Sequence, residues 1–405
     1  MNELKVLVIS ERYWPDGGGG ELATHLIVNI LRDEFEVAVV TGTRNSYRLP
    51  GVEFIYEPLL SRWEKPVLWF NTLKLVRTER FRKLIRECDI VYIPRFAFPI
   101  IPYAKQMGKK VIIHLHDYIP VSYTAVVLAP YEKHRYSLTR DDILLECRRS
   151  VKHCLGVGLF WWLPRLARRW IAQADKVICV SKRQAEIISD LAPELRDKVE
   201  VIYNPIPPEL FSYEPKKELD DKPAFLYVGG DSYVKGFHVL LQALKDLGKQ
   251  GVKARFILTN KYSSKNLELL KRLSEKHRNL EIQVMGRVKY EELLEIHKKA
   301  WALIFPSIWE EPLPYAVVEA VALGTLPIAS EVGGVMEIVD NTAASTFMFT
   351  SGKVSELVKE IEYVCSLSSS EVKSLGRKLR EEVLEKFNPS KLEKEVLRVF
   401  AEVVG

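Results

Sequence analysis

The amino-acid sequence predicts an α/β protein with two doubly wound, Rossmann-like domains, each built around a parallel β-sheet. Short apolar runs alternate with longer amphipathic stretches along most of the chain, which is typical of successive β-α-β units. The alternation stops once, at a proline-rich and charged segment near the middle, and then begins again. The length of 405 residues also exceeds one ordinary core and fits two domains of about 200 residues each.

The first half of the chain contains a series of candidate strands, with helical patterns between several of them. Lys5–Ile9 is an apolar run typical of a buried parallel strand. The glycine loop Asp16–Gly20 follows it, and then a helical stretch from Glu21 to about Arg32. The other candidate strands are Val37–Val40, Val52–Ile55, Ile90–Ile93, Val111–Leu115, Val177–Val180 and Val199–Ile202.

The second half repeats this pattern after a break. Asn204–Pro208 is rich in proline and the polar stretch Tyr213–Lys222 follows it, so we interpret this segment as the linker. A last helix is expected near 390–403, because Asn388-Pro389-Ser390 is a helix start signal. The candidate strands of this half are Ala224–Val228, Ala254–Leu258, Leu280–Val284, Ala302–Phe305 and Leu326–Ala329, and its other helical patterns lie near 236–249, 264–277, 290–299 and 315–323.

We therefore expect an N-terminal domain over 1–205, a C-terminal domain over 206–385 and a final helical segment over 386–405. Ligands of doubly wound sheets bind outside the carboxyl ends of the strands. With two such domains, the cleft that they share is the default binding site.

Composition narrows the class of protein. A hydrophobic content of 47% and a charged content of 28% exclude a fibrous or wholly disordered chain. The N-terminus lacks the features of a signal peptide, and no apolar run approaches the roughly 18 residues that span a bilayer, so we expect neither. The net charge of +6 suits anionic small ligands or an anionic membrane surface, and without a clustered reading motif it predicts no nucleic-acid partner.

The five cysteines are scattered and form no CxxC pair, which predicts free thiols in a reducing, cytoplasmic compartment. Cys147 and Cys154 lie closer together, with His153 beside the second. A structural metal there would need two more ligands, and His134 is the only other nearby candidate. We therefore favour plain packing over a metal site at this point.

Two segments of the first half carry candidate binding groups. Gly17–Gly20 lies between a strand and a helix, where glycines let a ligand approach and the helix N-terminus favours an anion; alone it predicts a phosphate contact and a simple turn equally. His114 and His116 lie at the end of the strand Val111–Leu115 and point the same way. A hydrogen-bonded structural histidine is the common alternative, but the strand-end position favours a functional His116.

The strongest constellation is Pro306–Ala320, in which Glu311 in a loop and Glu319 on the following helix are separated by seven residues. The helix N-terminus offers N–H groups to a phosphate or sugar oxygen, and carboxylates accept hydrogen bonds from sugar and ribose hydroxyls. Lys235, in a turn after the first strand of this half, can neutralise a diphosphate leaving group, although surface lysines are common. Two solvated helix glutamates are the alternative, and they explain poorly a loop that also holds Trp309 and two prolines.

The spacing Glu311-x7-Glu319 resembles the paired-glutamate motif of glycosyltransferase family 4, and other motifs of that family follow in order over nearly the whole chain. The resemblance implies the GT-B fold, with two domains facing a central cleft. The domain over 1–205 would then bind the acceptor, and the domain over 206–385 would bind the nucleotide sugar. It also implies that a hexose-type sugar is transferred from a nucleotide-sugar donor with retention of configuration and without a required metal or other cofactor; no DxD motif occurs. The matching segments are Pro15–Glu21, Val177–Lys182, Val201–Pro205, Gly286-Arg287-Val288, Pro306-Ser307 and Gly333-Gly334-x-x-Glu337.

The resemblance also implies roles for single residues. Lys235 would bind the donor diphosphate, Glu311 would hold the sugar hydroxyls and orient the leaving group, and Glu319 would bind the ribose. His116 would lie near the transferred sugar, and the last helix would brace the first domain. The residues expected to be catalytic are His116, Lys235 and Glu311, and those expected to contact the donor are Gly18, Gly19, Gly229, Lys235, Lys261, Arg287, Val288, Glu311, Leu313, Pro314, Tyr315 and Glu319.

Three departures from the family pattern affect the donor site. Gly230 stands where the family usually has an arginine, and Pro312 and Pro314 replace glycines and so remove two N–H donors. The family's glycine-rich turn is Thr259–Tyr262 in this chain. We hypothesise that Lys261 in this turn supplies the missing positive charge.

These departures leave other functions open. A non-catalytic nucleotide-sugar-binding protein and a GT-B epimerase of nucleotide sugars are the alternatives to a transferase, whereas a phosphorylase of this fold would usually be longer and use pyridoxal phosphate. The expected donor is a UDP-, GDP- or ADP-sugar, and the expected acceptor is a glycan or a lipid-linked molecule. The sequence does not choose among these.

The segment 133–183 carries many basic residues around Leu159-Phe160-Trp161-Trp162-Leu163. Tryptophan together with basic residues suits a membrane interface, and the enzyme would then attach peripherally to the inner face of the cell membrane. The alternative is a helix whose aromatic residues pack on the domain core while its arginines are solvated. The sequence favours the two interpretations equally.

Overall fold

The structure divides the chain into two units, each with its own parallel sheet. Of the predicted linker, 213–217 and 220–221 lie outside the residues that the structure describes, as do His134 and Arg135. The computed structural model describes residues 4–62, 64–133, 138–212, 218–219 and 222–405, with only the backbone of Leu138, Thr139 and Ser212. Unit 1 comprises Met1–Val127, Tyr131–Pro205 and Pro389–Gly405, and unit 2 comprises Leu128–Pro130 and Ile206–Asn388.

Unit 1 is built on a seven-stranded sheet in which all neighbours are parallel. Its strands are β1 (Lys5–Ser10), β2 (Glu36–Thr41), β3 (Glu53–Tyr56), β4 (Ile90–Ile93), β5 (Lys110–Leu115), β6 (Lys176–Cys179) and β7 (Val199–Val201), in the order β3-β2-β1-β4-β5-β6-β7. Each lies within one residue of its predicted bounds. The helices are α1 (Gly19–Leu31), α2 (Lys65–Leu75), α3 (Glu79–Glu87), α4 (Ile100–Gln106), α5 (Leu138–Arg149), α6 (Val151–Phe160), α7 (Leu163–Ile171) and α8 (Lys182–Leu191), with 3-10 turns at Pro58–Leu60 and Pro193–Lys198.

Unit 2 is built on a six-stranded sheet that is also parallel. Its strands are β8 (Ala224–Tyr227), β9 (Ala254–Thr259), β10 (Leu280–Gly286), β11 (Ala302–Phe305), β12 (Leu326–Ser330) and β13 (Met348–Phe349), in the order β10-β9-β8-β11-β12-β13. Its helices are α9 (Glu209–Ser212), α10 (Phe237–Gln250), α11 (Ser264–Lys276), α12 (Tyr290–Lys299), α13 (Tyr315–Ala322), α14 (Val335–Val339), α15 (Val354–Ser366) and α16 (Ser369–Lys386), with a 3-10 turn at Ala343–Phe347. The final helix of the chain, α17 (Pro389–Val404), belongs to unit 1.

The predicted fold class of two parallel α/β domains is confirmed. In each sheet the strand order reverses once, between β1 and β4 in unit 1 and between β8 and β11 in unit 2. Chains leaving neighbouring strands at such a point diverge to opposite faces and open a crevice at the carboxyl ends of the strands. The candidate site of each unit is therefore expected at its own point of reversal.

The core of unit 1 includes the last helix of the chain. The central strand β1 is buried from Val6 to Ile9, as a parallel strand covered on both faces requires. The apolar side of α17 joins this core, and the ring of Phe400 lies 5.2 Å from the ring of Tyr92 on β4. That the domain over 1–205 binds the acceptor and the domain over 206–385 binds the nucleotide sugar stays a prediction.

The prediction of free thiols is wrong for two of the five cysteines. Cys147 on α5 and Cys154 on α6 form a disulfide, whereas the thiols of Cys88, Cys179 and Cys365 are free. Helix α5 ends at Arg149 and α6 begins at Val151, so the chain turns at Ser150 between them and brings the two sulfurs together. The disulfide also leaves neither thiol to hold the metal that was weighed for this segment.

No helix within the described residues has the length and apolar character needed to cross a bilayer.

Candidate functional site

The candidate site of unit 2 begins in the turn that follows β8. Gly236 ends this turn in the left-handed region, with φ of 73°, and a Cβ added there would lie only 1.7 Å from the carbonyl oxygen of Pro306. The backbone N–H of Ile308 donates to the carbonyl of Val234 over 2.9 Å. These contacts hold the turn against the segment that follows β11, so Lys235 lies beside the loop that carries the predicted glutamates.

Lys235 and Glu311 form a direct ion pair. The Lys235 Nζ atom lies 2.7 Å from Glu311 Oε1 and 3.0 Å from Oε2. Two further donors hold the same carboxylate, because Ser307 Oγ lies 2.7 Å and Trp309 Nε1 lies 2.6 Å from Oε1. The side chain of Glu311 is 4% exposed and that of Lys235 is 36% exposed. The carboxylate is therefore fixed from beneath, while the ammonium group can meet a ligand.

Aromatic rings complete the surroundings of the ammonium group. Lys235 Nζ lies 5.3 Å from the centre of the Trp309 ring and 5.8 Å from that of Phe305. A cation near the face of such rings is attracted by their quadrupoles. Trp309 thus orients both partners of the ion pair, one through its indole N–H and the other through its ring.

Glu310, the acid next to Glu311, has a structural role. Its Oε2 atom accepts a hydrogen bond from the backbone N–H of Gly333 over 2.8 Å, and the N–H of Gly334 donates to the carbonyl of Glu311 over 2.7 Å. A Cβ at Gly333 would lie 2.1 Å from that same carbonyl oxygen. The turn after β12 is thereby tied to the loop that holds the ion pair. Sequence analysis quoted the two glycines as a family motif but missed this contact.

Glu319 lies on α13 and is buried. Burial raises the pKa of its carboxyl group to about 7, an effect that the nearby Tyr290 hydroxyl opposes. No direct contact joins Glu319 to Lys235 or Glu311 within the described residues. The structure therefore brings together two of the three residues on which the prediction depends, and places the third on the helix that follows their loop.

Three predicted donor contacts lie at the start of α13. Pro314 is the residue that caps the helix, and Tyr315 is its first residue. Leu313 precedes the cap and is buried. The proline therefore lies at the helix start, where its missing N–H interrupts no hydrogen bond of the helix.

Gly230 and Lys261 lie against each other at the ends of β8 and β9. Gly230 has φ of 60°, and an added Cβ would lie 2.7 Å from the carbonyl oxygen of Lys261. The N–H of Asp231 donates to that same oxygen over 3.2 Å. The side chain of Lys261 is exposed. The structure therefore brings Gly230 and Lys261 together at the carboxyl end of the sheet. The hypothesis that Lys261 supplies the charge absent at Gly230 requires this proximity.

The remaining predicted contacts follow the strand ends. A Cβ at Gly229 would lie 2.3 Å from the Tyr227 hydroxyl oxygen, so this ring covers the glycine. Arg287 and Val288 directly follow β10; Arg287 is exposed and Val288 is half-buried. The Arg287 side chain forms no ion pair or hydrogen bond with another of the described residues.

The candidate site of unit 1 centres on Arg95, which follows β4. Its Nη2 atom lies 3.2 Å from Glu21 Oε1, and its Nε atom lies 3.8 Å from Glu11 Oε1. A Cβ at Gly20 would lie 2.7 Å from Arg95 Nη1 and 3.3 Å from the Cβ of His116. The glycine loop, the arginine and the predicted histidine therefore form one cluster at the reversal point of this sheet.

The glycine loop is held by its own helix. Glu21 Oε2 accepts a hydrogen bond from the N–H of Gly18 over 2.7 Å, which caps the start of α1. Gly18 and Gly19 are exposed, and a Cβ at Gly18 would meet no atom within 4 Å. The loop is open to an incoming group at these two positions.

His114 and His116 lie side by side, with ring centres 4.3 Å apart. Burial lowers the pKa of His114 to about 3 and that of His116 well below its ordinary value, and His114 and Arg95 lower the pKa of His116 further. The Nδ1 atom of His114 lies 2.8 Å from the Tyr92 hydroxyl. Both ring nitrogens of His116 are buried, and neither has a hydrogen-bond partner within the described residues. Buried polar groups usually have one, so His116 is suited to meet a ligand.

Sequence analysis missed Glu11 and Arg95. Burial raises the pKa of Glu11 to about 7 although Arg95 lowers it, and the backbone N–H of Phe96 donates to Glu11 Oε2 over 3.1 Å. Both residues follow a strand at the reversal point of the sheet. Polar residues in these positions are the signal that would have identified them.

Unit 1 also contains a polar cavity of about 610 Å³. It lies where the start of α2 meets the turn 122–124 and the junction of α5 and α6. Its lining includes Lys65, Tyr123, Thr124, Arg149 and His153. The acids Glu64 and Glu146 line it as well, so the cavity offers hydroxyl, imidazole, cationic and acidic groups that can bind a polar molecule.

No group of three or more His, Cys, Asp or Glu side chains is arranged to hold a metal ion in the part of the chain that the structure describes.

Solved structures with the same architecture define the class of the fold as GT-B. Anabaena Alr3699/HepE, in complex with UDP and glucose, matches with a TM-score of 0.67 and 17% identity over 98% of this chain and 100% of that one. The sucrose-phosphate synthase of Thermosynechococcus elongatus matches with a TM-score of 0.73 and 16% identity over 99% of both chains. At these identities the likeness is one of fold.

Two sequence profiles identify the family. The profile of "Glycosyltransferase Family 4" matches residues 16–210, and that of "Glycosyl transferases group 1" matches residues 212–382. Together they cover nearly the whole chain. The protein therefore belongs to this family of glycosyltransferases.

Curated relatives match parts of the chain. An uncharacterised glycosyltransferase of Methanocaldococcus jannaschii is 28% identical over 190 residues, which is 44% of this chain and 47% of the relative. A glycogen synthase of Mycobacterium tuberculosis is 25% identical over 240 residues, which is 57% of this chain and 54% of the relative. The match thus spans about half the length of these relatives.

Proposed function

We propose that the protein is a retaining glycosyltransferase that moves a hexose-type sugar from a nucleoside diphosphate sugar to a glycan or lipid-linked acceptor, without a metal ion or other cofactor. The observation that carries this proposal is the Lys235–Glu311 pair. A buried carboxylate, held by Ser307 and Trp309, faces a more exposed ammonium group at the reversal point of the sheet. This is the place where a doubly wound domain binds its ligand.

The pair supplies the groups that the transfer needs. As the bond between the sugar and the diphosphate breaks, negative charge develops on the leaving group, and the ammonium group of Lys235 stabilises it. Glu311 then exchanges its contact with Lys235 for sugar hydroxyls, which donate to the carboxylate. Because Ser307 and Trp309 hold Glu311 independently of Lys235, the carboxylate stays in place during this exchange.

The nucleoside would be bound through Glu319 on α13. A buried carboxylate near neutral pKa gains stability when ribose hydroxyls donate to it, because hydrogen bonds favour the ionised form. Neighbouring structures with UDP, UDP-glucose and UDP-2-fluoro glucose support a nucleotide-sugar donor for this chain too. We keep the GDP- and ADP-sugars as alternatives, because these neighbours share only the fold.

Unit 1 would supply the acceptor side. We propose that His116, which is neutral and has two unpartnered ring nitrogens, contacts the transferred sugar. The polar cavity beside Tyr123 and His153 offers a place for a glycan or for the charged part of a lipid-linked acceptor. Retention of configuration, with the acceptor attacking from the face that the leaving group vacates, rests on the resemblance to the family.

The donor is tested first by thermal shift with UDP-, GDP- and ADP-glucose, because a ligand that binds only the folded chain raises its apparent stability. The nucleotide sugar that raises the apparent stability is then used in labelled form to measure transfer and hydrolysis. We expect Lys235→Met to abolish transfer, whereas Lys249→Met, which alters an exposed lysine on α10, serves as the matched control. A Lys235→Met enzyme with wild-type transfer would contradict the proposed role.

Product analysis separates the alternatives. Binding without turnover of the labelled donor would indicate a non-catalytic nucleotide-sugar-binding protein, and a changed sugar still attached to the nucleotide would indicate an epimerase. The anomeric configuration of a transferred sugar, determined by NMR, tests retention. Activity that is lost in EDTA and restored by a divalent cation would contradict the metal-independent mechanism.

A further inference from the structure

Helix α6 of unit 1 carries an uncovered apolar stripe. Val151, Leu155, Leu159 and Trp162 are 77%, 65%, 68% and 43% exposed. Trp162 lies in the turn between α6 and α7. With about 100° between successive residues of a helix, the other three positions lie within an arc of about 80°. Large contiguous apolar patches on a protein surface mark sites of interaction. The alternative, in which the aromatic residues of this segment pack on the domain core, does not account for the exposure of Val151, Leu155 and Leu159.

The stripe is held in a fixed position. Val157, on another side of α6, is 1% exposed and anchors the helix to unit 1. The hydroxyl of Ser150 accepts a hydrogen bond from the N–H of His153 and caps the start of α6. The disulfide between Cys147 and Cys154 ties α6 to α5. The exposed residues thus belong to an ordered helix that turns its apolar side outward.

The exposed charges of residues 140–175 have one sign. Every acid between 140 and 175 is buried or half-buried. Arg149 pairs with the buried Glu146 at 2.8 Å, and the guanidinium of Arg165 lies 4.5 Å from the centre of the Trp161 ring. The exposed charged residues of this segment are Arg140, Arg148, Arg149, Lys152, Arg165 and Arg169.

We infer that this surface docks on an anionic membrane with α6 lying in the plane of the interface. The surface consists of the α6 stripe and the six exposed basic residues just listed, which we call its basic rim. Apolar side chains enter the boundary between headgroups and acyl chains, tryptophan rings suit that boundary, and basic residues contact lipid phosphates. A second copy of the chain is the other occupant to consider. In a two-fold symmetric contact the basic rim would face an identical basic rim, which disfavours that pairing.

The inference does not depend on the catalytic proposal. Membrane docking would place a lipid-linked acceptor next to unit 1, but a protein that only binds nucleotide sugars would dock equally well. Donor binding and vesicle binding are therefore measured separately, so that failure of one does not count as failure of the other.

The test is flotation of the full chain with vesicles. We expect the protein to float with vesicles of phosphatidylcholine and phosphatidylglycerol at low salt, and to float less at high salt or with phosphatidylcholine alone. The double variant Leu155→Glu/Leu159→Glu is expected to lose at least about tenfold in vesicle affinity, because charged groups replace apolar ones in the interface. Leu267→Glu on α11, where the wild-type residue is 42% exposed, is the matched control and should float like the wild type.

A second variant tests the charge. Lys152→Glu/Arg165→Glu should lower binding to anionic vesicles and leave the weak binding to phosphatidylcholine unchanged. Each variant is checked by circular dichroism and by the thermal shift with UDP-glucose, so that loss of flotation is not confused with unfolding. Wild-type protein that fails to float with anionic vesicles at low salt would overturn the inference. A wild-type dimer that the double leucine variant converts to a monomer, as measured by light scattering without vesicle binding, would overturn it as well.

Discussion

Replacement of Glu319 by glutamine should remove a specific pH dependence. The pKa of Glu319 is about 7 in the folded chain, against 4.5 for an ordinary glutamate. Because one pKa unit corresponds to about 1.4 kcal/mol, the ionised carboxylate costs the fold about 3 kcal/mol at about pH 8. The raised pKa means that this cost is absent below about pH 4.5 and grows as the pH rises to about 7. Glu319→Gln should therefore have a higher free energy of unfolding than the wild type at alkaline pH. This difference in the free energy of unfolding should shrink as the pH falls.

The same shift predicts the pH dependence of donor binding. Ribose hydroxyls donate to the ionised carboxylate, so binding requires the group to lose its proton. With a pKa of about 7, the ionised fraction rises about tenfold between about pH 6 and about pH 8. We expect the dissociation constant of UDP-glucose to fall by about tenfold over that range in wild-type protein. UDP-glucose is preferred to UDP because its diphosphate does not titrate there.

Isothermal calorimetry in two buffers with different enthalpies of ionisation measures both the affinity and the proton released. The matched control is Glu360→Gln, because burial also raises the pKa of Glu360 on α15, a residue that belongs to neither candidate site. That control should keep the pH dependence and Glu319→Gln should lose it. A Glu319→Gln protein that binds with the wild-type pH profile would refute the reasoning.

Three further predictions concern the surroundings of the site. Lys261→Ala should weaken UDP-glucose binding in calorimetry, whereas Lys265→Ala, an exposed lysine on α11, should not; unchanged affinity in Lys261→Ala would remove the hypothesis that this residue supplies the missing charge. Gly236→Ala should lower the free energy of unfolding by more than Gly251→Ala, as measured by urea denaturation. Both glycines have φ above 70°, but only the Cβ at Gly236 would meet a backbone oxygen, at 1.7 Å, so equal losses would contradict the predicted overlap. Trp309→Phe keeps a ring near the ammonium group but removes the indole donor, and should lower kcat by about tenfold or more, since a hydrogen bond to a charged group contributes about 1.5–3 kcal/mol; a wild-type kcat would show that the donor is dispensable.

The strands could be predicted closely because each is an apolar run bounded by polar residues. Ile90–Ile93 and Ala302–Phe305 have the predicted bounds. The sheet edge was harder, since β13 has only two residues and its pairing with β12 depends on the path of the preceding 3-10 turn. The helices α14, α15 and α16 were not predicted. Sequence analysis located most helices between successive candidate strands, and no candidate strand was recognised after Leu326–Ala329.

The candidate site was predictable as residue types but not as contacts. Lys235 and Glu311 are 76 residues apart, and only the family motif pointed to a link between them. That Ser307 and Trp309 also hold the carboxylate depends on how one loop folds back on itself. The disulfide was missed because the turn at Ser150 brings two helices together where sequence analysis saw only a spacing of seven residues.

Gly230 shows why a departure from a family pattern need not mean a lost function. Its backbone lies in the left-handed region, and the carbonyl of Lys261 occupies the space that a side chain would need. An arginine at this position would therefore require the turn after β9 to move. In this chain the same turn carries an exposed lysine at the sheet edge. We hypothesise that Lys261 replaces the charge of the arginine. On that hypothesis, the close packing that excludes the arginine also brings in its replacement, and the two differences from the family are one change rather than two.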